Sequence, residues 1–125
     1  MDSMCAVLEK AAAGENFYLL LGDFLDEFYR SDKEVRQKMI ERRPDDISGG
    51  RREILGFAAS AVHKLANDHG LDVPRWVFEK RCYLYGDPFF AGNAKGDLRL
   101  WFMYKSPSEF KHRNLFVDEN VLIRV

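Results

Sequence analysis

The chain has 125 residues, a formal net charge of −1, 46% apolar residues and 31% charged residues. This is the composition of one globular domain, long enough to bury a core without disulfides or metal, and it excludes a disordered chain or a general binder of polyanions. Ten Phe, five Tyr and two Trp are the natural material of that core.

Residues 3–12 are rich in Ala, Leu, Met and Glu, so the first fifteen residues read as an arm or a short helix, with Gly14 as its stop. Asn16 then caps a helix in which Phe17, Leu20, Leu21, Phe24, Leu25 and Phe28 recur at spacings of three and four. Asp23, Asp26, Glu27 and Arg30 fall on its other face. Ser31-Asp32-Lys33-Glu34 reads as a capping box for a third helix, with Val35, Met39 and Ile40 facing inward and Pro44 ending it. Residues 44–50 read as a loop and as the mobile hinge of the protein.

Helical periodicity resumes at Arg51, with Ile54, Leu55, Ala58, Ala61, Val62 and Leu65 as its stripe. The small residues 58–61 permit close approach of a neighbour, and Gly70 suits the C-terminal cap. Pro74 opens a short helix carrying Trp76, Val77 and Phe78. Residues 81–96 are irregular. Asp97 is expected to cap a helix with Leu98, Trp101 and Phe102 on one face; the alternation of Leu98, Leu100, Phe102 and Tyr104 also fits a strand, but helix is preferred. Ser106-Pro107-Ser108-Glu109 reads as a second capping box opening a helix through Arg113. Residues 115–125 fit either a helical turn after Asp118 or a small hairpin through Asp118-Glu119-Asn120.

The expected fold is therefore mainly α: one helical bundle over 1–125, with 16–125 as the core and helices 16–43 packed on helix 51–69. An irregular aromatic C-terminal third closes it, with a short C-terminal hairpin as an option.

No catalytic motif emerges. His63 and His69 lie six apart, not at the three or four of a helical metal pair, and no metal or cofactor site is expected. Cys5 and Cys82 lack C-x-x-C spacing and read as two free thiols of a reducing cytoplasm. Cys82 with His63, His69 or His112 as base is weaker as a nucleophile than as a small buried hydrophobe. Gly49-Gly50-Arg51-Arg52 before a helix resembles an anion site without the P-loop Lys-Ser/Thr, and reads as an ordinary junction. The Asp23, Asp26, Glu27 group reads as a solvated face. Neither a signal peptide nor an apolar run near the ~18 residues of a membrane span is present, so a cytoplasmic location without membrane attachment is expected.

Charge is uneven. Residues 1–50 hold 7 Lys+Arg and 11 Asp+Glu against 12 and 9 in residues 51–125, so the halves carry −4 and +3. Aromatics beside cations in the second half have the composition of interface hot spots. The candidate partner-binding residues are Arg75, Trp76, Phe89, Phe90, Arg99, Trp101, Lys111 and Arg113. Two rival readings use overlapping residues: a small-molecule pocket at Tyr83, Tyr85, Trp101 and His112, and a nucleic-acid surface at Arg51, Arg52, Arg99 and Arg113, the latter weakened by the small charge surplus.

The segments Leu25-Asp26-Glu27-Phe28-Tyr29, Gly70-Leu71-Asp72-Val73-Pro74-Arg75-Trp76, Asp87-Pro88-Phe89-Phe90 and Ser106-Pro107-Ser108-Glu109-Phe110-Lys111-His112-Arg113-Asn114-Leu115-Phe116-Val117 carry a resemblance. In this order they resemble a group of small bacterial proteins with Gly-Leu-Pro-Val-Pro-x-Trp, x-Pro-Trp-Phe and Ser-Pro-x-x-Phe-x-x-Arg-x-Ile-Phe-Val motifs. Phe89 stands where that group usually has Trp. Some of its members look like the portion that follows a helix-turn-helix domain; about sixteen residues before the first clear helix leave no room for one here, so direct DNA binding is not expected. Others are similar to proteins encoded beside nucleotidyltransferase-like toxins. That likeness implies an antitoxin role, with such a toxin as partner, and supplies no catalytic residues.

Overall fold

The structure, a computed structural model, describes residues 3–45 and 52–123. Its helices are α1 (Met4–Ala12), α2 (Phe17–Arg30), α3 (Lys33–Glu41), α4 (Arg52–His69), α5 (Asp97–Lys105) and α6 (Ser108–His112). Three short 3-10 turns, Arg75–Phe78, Lys80–Cys82 and Ala91–Asn93, lie between α4 and α5, and two-residue strands β1 (Phe89–Phe90) and β2 (Leu115–Phe116) pair in parallel. The mainly helical, single-domain expectation holds. The residues read as a hinge at 46–50 lie outside the described residues.

The N-terminal helices form for the reasons the sequence supplies. The Ser3 hydroxyl accepts from the Ala6 amide, and the Asn16 side chain accepts from the Tyr18 and Leu19 amides, satisfying donors that a helix leaves unpaired. α1 is a helix and not an arm. Met4, Cys5, Val7, Leu8 and Ala11 are buried, and it packs against α2, α3 and α4. The expected packing of α2 on α4 is therefore shared with α1. Direct contact comes through rings: Phe17 meets Phe57 at 5.8 Å and Phe28 meets His69 at 5.4 Å.

Both predicted capping boxes are displaced in the same way. The Ser31 hydroxyl donates backward to the Glu27 carbonyl at 2.7 Å, and Asp32 caps α3 by accepting from the Val35 amide at 3.0 Å. Ser106 likewise turns back, its amide donating to the Phe102 carbonyl at 2.9 Å, while Pro107 stands at the start of α6. Only two residues separate the helices in each case, so the serine closes the helix behind it through the i−4 carbonyl and its neighbour opens the next. Asp97 is also displaced: Gly96, at φ +59°, occupies the cap position and Asp97 is the first helical residue.

α4 is the centre of the fold, in contact with α1, the first two 3-10 turns, α6 and β2. Its close approach is made at Gly56, where a Cβ would lie 3.0 Å from the Cys82 carbonyl oxygen and 3.3 Å from Leu115 Cδ1. Gly70 (φ +65°) ends α4, and the Leu71 amide donates to the Ala66 carbonyl at 2.9 Å, a Schellman closure. Beyond it Gln37 on α3 accepts from the Asp72 amide (2.9 Å) and donates to the Asp72 carbonyl (3.1 Å), fixing this corner.

The C-terminal third is held by side-chain bonds to backbone. Asn114, at φ +66°, sets the bend between α6 and β2. β1 then pairs Phe89 with Leu115 and Phe90 with Phe116, so the sheet lies upstream of the 118–120 turn. Residues 118–123 turn through the Val121 amide to the Asp118 carbonyl (3.1 Å) and the Ile123 amide to the Asn120 carbonyl (3.0 Å). The Tyr29 hydroxyl donates to the Leu122 carbonyl at 2.8 Å and ties this end to α2.

Candidate functional site

The sequence-selected aromatics and cations divide between core and surface. Trp76 is buried, and its indole N–H donates to the Ile40 carbonyl at 3.0 Å, satisfying an end carbonyl of α3. Arg113 is only 1% exposed. Its Nε and Nη2 donate to the Val77 carbonyl (3.3 and 2.9 Å) and its Nη1 to the Glu109 carbonyl (2.9 Å). The guanidinium also lies 5.0 Å from the Tyr83 ring centroid. Trp76 and Arg113 are thus corrected from partner contacts to internal fasteners: each polar group is already bonded to backbone inside the fold.

Arg113 Nη1 is 3.2 Å from His63 Nδ1, and Arg36 Nη1 is 3.4 Å from His69 Nδ1. An arginine can only donate, so each Nδ1 acts as acceptor and the imidazole is neutral. Burial and the facing guanidinium hold both histidines below their ordinary pKa. Neither pairs with Cys82. That thiol is buried, donates to the Trp76 carbonyl at 3.3 Å, and is pushed up to about 11 by burial, which fits a packing residue rather than a nucleophile. Among the described residues no group of three His, Cys, Asp or Glu side chains could hold a metal ion.

Of the other candidates, Arg75, Arg99 and Trp101 are exposed and Phe89 and Lys111 half-buried, whereas Phe90 is corrected from a partner contact to a buried ring. Arg75 lines an open groove of about 370 Å³ of mixed polarity, with Gln37, Glu41, Asp72 and Glu79 beside Val73 and Pro74. Phe89 is half-buried and Phe90 is buried, stacked on Phe116 at 5.0 Å with the Arg99 guanidinium 4.1 Å from its centroid. Pro88, Phe89, Phe90, Ala94, Lys95 and Arg99 line a shallow groove of about 540 Å³. The rival pocket does not assemble around these grooves: Tyr83 lies beneath Arg113, whereas Tyr85, Trp101 and His112 are exposed. Of the four arginines of the proposed basic surface, Arg113 is internal, and Arg51 lies outside the described residues.

Beside the Phe89–Phe90 groove stands α5. Six of its nine residues are apolar, yet none is buried. Leu98 is 51%, Leu100 64%, Trp101 51%, Met103 47% and Tyr104 75% exposed. Of these, the sequence analysis named Trp101 as a partner-binding candidate and did not single out Leu98, Leu100, Met103 or Tyr104 as one. The available signal was the unbroken run Leu100-Trp101-Phe102-Met103-Tyr104, too long for a one-sided helix and, when exposed, a mark of function.

α5 is nonetheless firmly seated. Asp97 in its first turn and Lys105 in its last complement the helix dipole. Lys111 Nζ donates to the Tyr104 carbonyl at 2.8 Å. The buried Ser106 hydroxyl accepts from the Val117 amide (2.8 Å) and lies 2.9 Å from the Val117 carbonyl, joining the end of α5 to the strand segment. Lys105 Nζ rests 5.3 Å from the Trp101 ring and 5.4 Å from the Tyr104 ring. No helix among the described residues is long and apolar enough to cross a membrane. Comparison with family models, curated proteins and solved structures gives no match.

Proposed function

We propose that this protein is a non-enzymatic interaction module that binds and restrains a bacterial partner protein through α5 and the adjoining Phe89–Phe90 groove. The observation that carries the reading is a seated helix that leaves five of its six apolar side chains, Leu98, Leu100, Trp101, Met103 and Tyr104, exposed to solvent. Aromatic and aliphatic anchors ringed by cations are the usual composition of a binding hot spot. The partner is assigned as a nucleotidyltransferase-like toxin on the sequence resemblance described above. In that case Lys95, Arg99 and Lys105 would engage acidic groups around its active site, and inhibition would be steric.

The test is affinity capture from the native host's lysate with the tagged full chain, compared with a folded Leu100→Glu, Trp101→Glu variant. A single stoichiometric protein retained by the parent and lost by the variant is expected, together with suppression of that protein's activity when the two are mixed. Equal capture by both chains would remove α5 from the interface, and no suppression would remove the antitoxin role.

A further inference from the structure

We infer that α5 is the guest in a helix-in-groove complex: it inserts into an apolar, acid-rimmed cleft of the partner protein. This rests on the interaction-module reading and adds the shape and charge of the surface that receives it. At 3.6 residues per turn, Leu98, Leu100, Trp101, Met103 and Tyr104 cover an arc of roughly 220°. Leu98 and Met103 stand at its two flanks, with Tyr104, the most exposed at 75%, near the middle. Phe102 and Arg99 occupy the remaining arc, directed toward the body of the protein, where Arg99 covers Phe90.

That arc decides the kind of partner. A helix or a flat surface laid on α5 covers a stripe of about 100° and would leave one flank wet. A cleft that closes around the helix covers both flanks and the ridge between them, the arrangement of an amphipathic helix in a hydrophobic groove. A second copy of this chain presenting its own α5 would offer a ridge against a ridge.

Charge sets the rim. Residues 95–111 hold Lys95, Arg99, Lys105 and Lys111 against Asp97 and Glu109, and Glu109 already accepts from Asn67 at 2.9 Å. On the helix Lys105 stands beside Leu98 and Arg99 beyond Met103, so a cation lies at each edge of the arc, with Asp97 on its midline only at the first residue; the net charge of +2 over this stretch makes a cleft with Asp or Glu at its lip complementary to it.

A benzophenone-bearing phenylalanine placed singly at Leu98, Leu100, Met103 or Phe89 of the full chain, followed by irradiation in host lysate, tests this. The expected result is one protein crosslinked from Leu98, Leu100 and Met103 alike, with its adducts mapping to peptides that line one acid-rimmed cleft. Lys95→Glu with Lys105→Glu should then weaken that complex roughly tenfold and flatten its salt dependence. Adducts from Leu100 alone, or at twice the 14.5 kDa mass of this chain, would overturn the cleft in favour of a flat or self-paired surface. A protein crosslinked only from Phe89 would leave the interaction-module reading standing and remove α5 from it. No protein adduct from any position, Phe89 included, would remove both.

Discussion

Helix α4 buries eleven of its eighteen residues, whereas α5 buries none of nine although six of those are apolar. The difference is one of distribution and size. α4 places small side chains where neighbours approach and lets the backbone of Cys82 close on Gly56. α5 has large side chains on nearly every side. Burying such a helix takes a surrounding layer of structure, and a chain of 125 residues has already committed its elements to the α4 core. Apolar content therefore reports what a segment can bury, and its angular spread reports whether its own chain can do so.

The sharpest test of this contrast is removal of one ring. Phe28 is fully buried, stacked on Phe24 at 6.0 Å, with the Arg36 guanidinium 5.0 Å away. Phe28→Ala should cost about 3–5 kcal/mol in urea unfolding. A much smaller loss would mean that the α2–α4 contact is not the stabilising part of the fold.

A graded effect should follow pH. His63 faces Arg113, Glu109 and His112, and His69 faces Arg36, Asp68 and Lys64; burial and the cations together hold both below 6.5. As pH falls through about 6.5 the unfolded chain takes up these protons before the folded one, so stability drops as pH falls. Above that window both states are neutral at these sites and their contribution is flat. Thermal unfolding across pH 5–8 of the parent and of His63→Gln with His69→Gln measures it: the double variant should lose most of the slope in this range.

The smallest change is expected at α5. Trp101→Ala should alter the unfolding free energy by no more than about 0.5 kcal/mol while reducing partner binding strongly. A loss close to that of Phe28→Ala would place Trp101 in the fold's own packing and erase the contrast.

Much of the frame was legible before the structure. Asn16 and the Phe17–Phe28 spacing define α2, and Gly70 with the small residues around Ala58 define the end and close-packed middle of α4. The Ser-x-x-Glu boxes misplaced two helix starts because the pattern does not say which of two abutting helices the serine serves. Site choice was less legible. Trp76 and Arg113 look like surface anchors in sequence, and only their bonds to Ile40 and Val77, each 36 positions away, reveal an internal role. Leu98, Leu100 and Met103 were not among the site candidates, since exposure is decided by what the rest of the chain leaves uncovered.

The two tryptophans give this protein a pair of built-in optical reporters. Trp76 is sealed against Ile40 in the interior, whereas Trp101 stands in solvent with the Lys105 ammonium over its ring. Their emission is therefore separable: the bluer, quencher-resistant component follows folding, and the redder one, readily quenched by iodide that the ammonium draws close, follows occupancy of the helix.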